Sequence, residues 1–154
     1  MSQDELILDE SYFKVEAALA PSSTLNELLN LAKKRLADLC EDLLATSDFM
    51  VAREKALSGL ADSLSDYLEI ALTLGVENYR HRLSLPEKDV AKAFAIPIDL
   101  LSKFASEADE KYFAMSFGAM LNLSLLYGTS FQDIRKVYAD RALERYDAIK
   151  GKQE

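Results

Sequence analysis

Five carboxylates stand at spacings that matter chemically. Asp62, Asp66 and Glu69 follow one another at offsets of four and seven, and on a helix these fall within an arc of roughly 60°. Asp38 and Glu41 repeat the pattern one segment earlier, three residues apart. A like-charged pair four residues apart, such as Asp62 and Asp66, costs a helix about 0.2–0.5 kcal/mol unless something positive neutralises it. No Lys or Arg occurs between Lys55 and Gly75 to do so. A hard divalent cation would serve, because Mg²⁺ takes carboxylate oxygens and keeps several waters, and two helices that each offer acids at helical spacing can clamp it. The same residues also read as a solvated face. Leu60, Leu64, Tyr67, Leu68, Ala71 and Leu74 centre on the opposite side of the same helix. Metal clamp and wet face both stand on the residues alone.

The remaining reactive side chains offer less. His81 is the single histidine, in "NYRHRL" between Arg80 and Arg82; it reads as an exposed basic turn or as a phosphate contact. Cys40 is the single cysteine and belongs to an apolar stripe, so it reads as core filler. One His and one Cys exclude a zinc site of the usual N/S type. A Cys–His nucleophile pair would require His81 to fold beside Cys40. "LPEKDVAKAFAIPIDLLSKFAS" has apolar spacing compatible with a helix-turn-helix, but its second half offers one lysine and one aspartate to a polyanion. It reads as a plain helical hairpin.

The elements that must position these groups are helices. Thr24 followed by Glu27 is a capping box, and Leu25, Leu28, Leu29, Ala32, Leu36, Leu39, Cys40 and Leu43 then recur as one apolar stripe. A second helix is predicted from about residue 48 to Gly75, a good C′ glycine with Val76 behind it. "LSLPEKDVAKAFAIP" reads as a shorter helix capped near Ser84 and ended by Pro97, with 98–106 adding a turn or two. Residues 107–127 form the most apolar helix, closed by Gly128, and Thr129 and Ser130 can cap a last helix over 131–149. Residues 11–19 read as a short helix or arm. No β-alternating stretch competes. The fold class is therefore all-α: one domain over 1–154, an antiparallel bundle of five or six helices, with flexible ends at 1–10 and 150–154. The nearly all-round apolar helix 107–127 predicts self-association into a homo-oligomer.

Composition narrows the function. Of 154 residues 49% are hydrophobic and 29% charged, which suits a folded core and not disorder. No apolar run approaches the roughly 20 residues of a membrane span, the start lacks the features of a signal peptide, and a lone cysteine fits the cytoplasm. The net charge of −8 sits wholly in the first half, where residues 1–75 carry 14 Asp and Glu against 6 Lys and Arg. That argues against a nucleic-acid binder and is compatible with divalent cations or a basic protein partner.

An acidic pair on one helix, followed by an acid-bearing helix ending at glycine, resembles the all-α NTP pyrophosphatases, the group of MazG-type and dimeric dUTPase/dCTPase-type enzymes. In that family an ExxE pair and a downstream ExxD pair hold Mg²⁺, and water attacks the nucleotide phosphate chain. The resemblance makes Asp38 and Glu41 the first pair. It aligns "GLAD" with the second, Asp62 matching the family aspartate while Gly59 stands in place of the glutamate, with Asp66 or Glu69 available from the next turn. "YGTSFQDIRKVYADRALERYD" is similar to the family's final helix, which implies phosphate contacts from Lys136, Arg141 and Arg145. The resemblance spans about 25–75 and 125–147. What it implies is a Mg²⁺-dependent nucleoside triphosphate pyrophosphohydrolase, with Asp38, Glu41, Asp62 and Asp66 as ligands and a nucleotide as substrate. From another class, the chain reads as a non-enzymatic acidic helical interaction protein. The two differ in geometry: acids of the two helices converge in the first and point outward separately in the second.

Overall fold

The computed structural model describes residues 5–8, 24–76 and 79–153, with side chains for 24–76 and 79–144. Among the described residues five helices pack around one core: α1 (Leu25–Leu44), α2 (Phe49–Thr73), α3 (Val90–Glu107), α4 (Glu110–Asn122) and α5 (Phe131–Gln153), with a 3₁₀ segment, Leu123–Tyr127, after α4. The expected all-α bundle is what the chain forms. Among the described residues no helix is long and apolar enough to cross a membrane. The predicted arm at 11–19 lies outside the described residues.

The helix boundaries follow local chemistry. The Thr24 hydroxyl oxygen accepts from the Glu27 amide at 3.2 Å and donates to its carboxylate at 3.0 Å, completing the capping box of α1. Asp48 caps α2 by accepting from the Met50 and Val51 amides. At the other end Gly75, at φ +80°, sends its N–H to Leu72, and Val76 reaches back to Ala71: a Schellman closure. Ser130 and Asp133 cap α5 reciprocally, and the Ser130 N–H holds the Asp133 carboxyl below its ordinary range.

Three expectations are corrected. Helix α3 begins at Val90, capped by Asp89, which accepts from the Lys92 amide, and not near Ser84. It then runs through Pro97 without ending. Ala93, Phe94, Pro97, Leu101 and Phe104 are all buried on one face, and this burial outweighs the roughly 3 kcal/mol that an interior proline costs. Residues 107–127 are not one helix, because Ala108 turns left-handed at φ 53° and Asp109 caps a fresh start for α4. Helix α5 runs to Gln153, past the predicted end at 149.

The fourth departure is a small antiparallel ribbon. Strand β1 (Glu5–Leu8) pairs with β2 (Tyr79–Arg82), Glu5 opposite Arg82 and Leu8 opposite Tyr79. Residues 5–8, read as part of a flexible end, are thus a strand. His81 is not on an exposed turn. It lies half-buried in β2, its Nε2 2.8 Å from the Asn122 Oδ1 of α4.

Helix α2 is the centre of the bundle and is buried along nearly its whole length. Its Tyr67 lies among Phe113 and Phe117 of α4, at ring-centroid distances of 5.9 and 5.1 Å. The Tyr67 hydroxyl is 2.7 Å from the Ser116 Oγ, which in turn donates to the Pro97 carbonyl at 2.7 Å. This chain ties α2, α3 and α4 together in the dry core. Burial pushes the Tyr67 phenol well above its ordinary range.

Candidate charge-paired groove

The acidic stripe of α2 forms the floor of a groove of about 330 Å³, with α1 on one side and α5 on the other. Ala61, Asp62, Ser65, Asp66 and Glu69 lie along the floor; Leu28, Leu31 and Arg35 line one wall, Tyr138, Arg141 and Ala142 the other. The stripe is only partly wet. Asp62 and Glu69 are half-buried, and Asp66 is 5% exposed, as buried as Leu28 beside the groove.

Two arginines explain how it can be. Arg35 of α1 places its Nε 2.6 Å from the Asp66 carboxylate and its Nη1 3.8 Å from that of Asp62. From the opposite wall Arg141 of α5 reaches down to α2. It donates to the Asp62 carboxylate, to the Ser58 hydroxyl and, at 2.8 Å, to the Ser58 carbonyl. Each arginine therefore bridges two helices, and together they neutralise the like-charged Asp62–Asp66 pair that α2 itself leaves uncompensated.

Of the residues that the family resemblance singles out, Asp62, Asp66 and Arg141 come together here. Asp38 and Glu41 are exposed on α1, and Lys136 is exposed on α5. The Arg145 side chain lies outside the described residues. Among the described residues no group of three or more His, Cys, Asp or Glu side chains is gathered to hold a metal ion. The donor arrangement fits guanidinium groups better than Mg²⁺, which would need carboxylates that Arg35 and Arg141 already engage.

Gly59 has a packing reason. A Cβ at this position would stand 2.6 Å from both Leu39 methyl groups and 3.0 Å from its Cγ, so a side chain here has to displace Leu39 of α1. Restoring the family residue by Gly59→Glu is expected to cost about 1–3 kcal/mol through overpacking against buried Leu39, read as a lower urea midpoint. A stabilised variant would contradict this close approach.

Arg35 and Ser58 were not among the candidates from sequence. Arg35 did carry a signal: it stands seven residues after Leu28 and three after Ala32, at the edge of the apolar stripe, within reach of a neighbouring helix as well as of water. Cys40 is half-buried and packed against the core, and burial, with Asp89 nearby, pushes its thiol upward.

No family model, curated protein or solved structure matches the chain.

Proposed function

We infer that the chain is a non-enzymatic helical interaction protein whose acidic first half binds a basic protein partner. One observation carries the reading: the α2 carboxylates that a metal would need are each engaged by an arginine from a neighbouring helix, while the α1 acids Asp38 and Glu41 stand exposed and apart. Acids arranged in this way join helices inside the groove and present negative charge outside it. The competing reading, Mg²⁺-dependent pyrophosphohydrolysis of a nucleotide, has in its favour that Asp62 and Asp66 share one groove with Arg141. It requires both arginines to leave their carboxylates before a cation can enter.

The deciding assay is pyrophosphate release from a panel of nucleoside triphosphates with Mg²⁺, Mn²⁺ or EDTA, run beside thermal melts in the same buffers. The expected result is no metal-dependent release and no metal-dependent change in Tm. Turnover that requires the metal and disappears in Asp62→Asn would overturn the interaction reading in favour of hydrolysis.

A further inference from the structure

Strand β2 is fastened to the bundle without help from β1. The Tyr79 ring stacks on Phe117 at 4.3 Å and an interplanar angle of 6°, and its hydroxyl donates to the Ala114 carbonyl at 2.8 Å. His81 is held by Asn122, whose Oδ1 also accepts from the Ser84 amide at 3.0 Å and whose amide nitrogen donates to the Ser84 hydroxyl at 3.3 Å. Gly118 makes this close seating possible, since a Cβ there would fall 2.7 Å from the His81 ring. Every one of these contacts joins β2, or the residues just after it, to α4. The opposite face of β2 carries exposed Arg80 and Arg82.

The strand that pairs with β2 is of a different kind. It is the chain's N-terminal stretch, "DELILDE", three apolar residues flanked by acids, and the register sets Glu5 opposite Arg82. Seventy residues separate the two strands, so no tight turn enforces the pairing. A two-stranded ribbon is marginal by itself in water. What remains when β1 departs is a rigid strand edge with ladder N–H and C=O groups and two arginines beside it.

We propose that β2 is a docking edge for an extended acidic segment of a protein partner, and that β1 is its removable occupant in cis. Affinity comes from main-chain ladder bonds, as in other strand additions, and selectivity from acids flanking an apolar core that meet the basic face of β2. The cis strand is tethered and therefore at high effective concentration, so an outside segment competes against it. This surface is separate from the groove, and the proposal stands or falls independently of the reading above.

The test uses the full chain and a synthetic peptide of residues 2–11, labelled for fluorescence anisotropy. Leu6→Pro and Ile7→Pro introduced together into the chain remove a ladder N–H whichever of the two residues faces β2. This variant is expected to keep its helical circular dichroism and to bind the peptide at least about tenfold more tightly than the unaltered chain does. Binding should weaken when Arg80→Glu and Arg82→Glu are added. It should vanish for a peptide carrying the same two prolines, which retains all its acids. Three results would each overturn the proposal: no binding to the variant, equal binding of the proline peptide, or loss of helical signal in the variant, which would make β1 a structural strand and not an occupant.

Discussion

Tyr67→Ala is expected to lower the unfolding free energy by about 3–5 kcal/mol, a large part of what a domain of this size has to lose. The residue is fully buried in the middle of α2, and its ring meets Phe113 and Phe117. Removing it opens a cavity between α2 and α4 that rigid helices cannot collapse to fill. Two milder variants separate the ring from the hydroxyl. Tyr67→Phe leaves the Ser116 hydroxyl still donating to the Pro97 carbonyl, so only one interaction is lost, worth about 0.5–1.5 kcal/mol. Ser116→Ala takes away the middle member of the chain and strands a buried phenol O–H, at about 1–3 kcal/mol. Urea unfolding followed by circular dichroism should therefore rank Tyr67→Ala as most damaging, then Ser116→Ala, then Tyr67→Phe. Were Tyr67→Phe as costly as Ser116→Ala, the chain from α2 through Ser116 to α3 would not be the polar tie between these helices.

The helical architecture was legible because its signals are local. Thr24 with Glu27, Asp48 and the Gly75–Val76 pair each announce a helix end within four residues, and the end appears where the cap chemistry puts it. At the starts of α3 and α4 the deciding signals are also local, the caps Asp89 and Asp109, and only at Pro97 does tertiary packing override a local signal. Pro97 carries a strong stop signal, yet the face of α3 that it shares with Phe94 and Leu101 is buried, and burial decides. The ribbon escaped notice because its four-residue strands meet from opposite parts of the chain, and neither shows an alternation long enough to register. The groove was half legible. Helical spacing placed Asp62, Asp66 and Glu69 together correctly, but spacing cannot say what faces a residue from another helix, and the burial of Asp66 depends on Arg35, 31 residues earlier. Exposed or buried, metal-bound or arginine-bound: these alternatives differ only in long-range contacts, which no periodicity within one helix contains.

Arg35→Met should cost more than Asp66→Ala, although the two substitutions break the same ion pair. The side chains differ in their access to water: that of Asp66 is 6% exposed and that of Arg35 is 36% exposed. Losing Arg35 leaves a carboxylate in the protein interior without its cation, at about 2–4 kcal/mol. Losing Asp66 leaves a guanidinium that can rehydrate and lean toward Asp62, 3.8 Å away, at about 1–2 kcal/mol. The sign of the coupling follows. The double variant Arg35→Met with Asp66→Ala is expected to be more stable than Arg35→Met alone, because the second change removes the stranded charge. Arg141→Met supplies the control. Its partner Asp62 has a side chain 37% exposed and keeps Arg35 3.8 Å away, so the carboxylate meets water and a second cation and the loss should stay near 1 kcal/mol. Denaturant midpoints of the four variants test this ordering. If Arg141→Met proved as damaging as Arg35→Met, burial would not be what sets the cost, and the two arginines would act as one network whose members fail together.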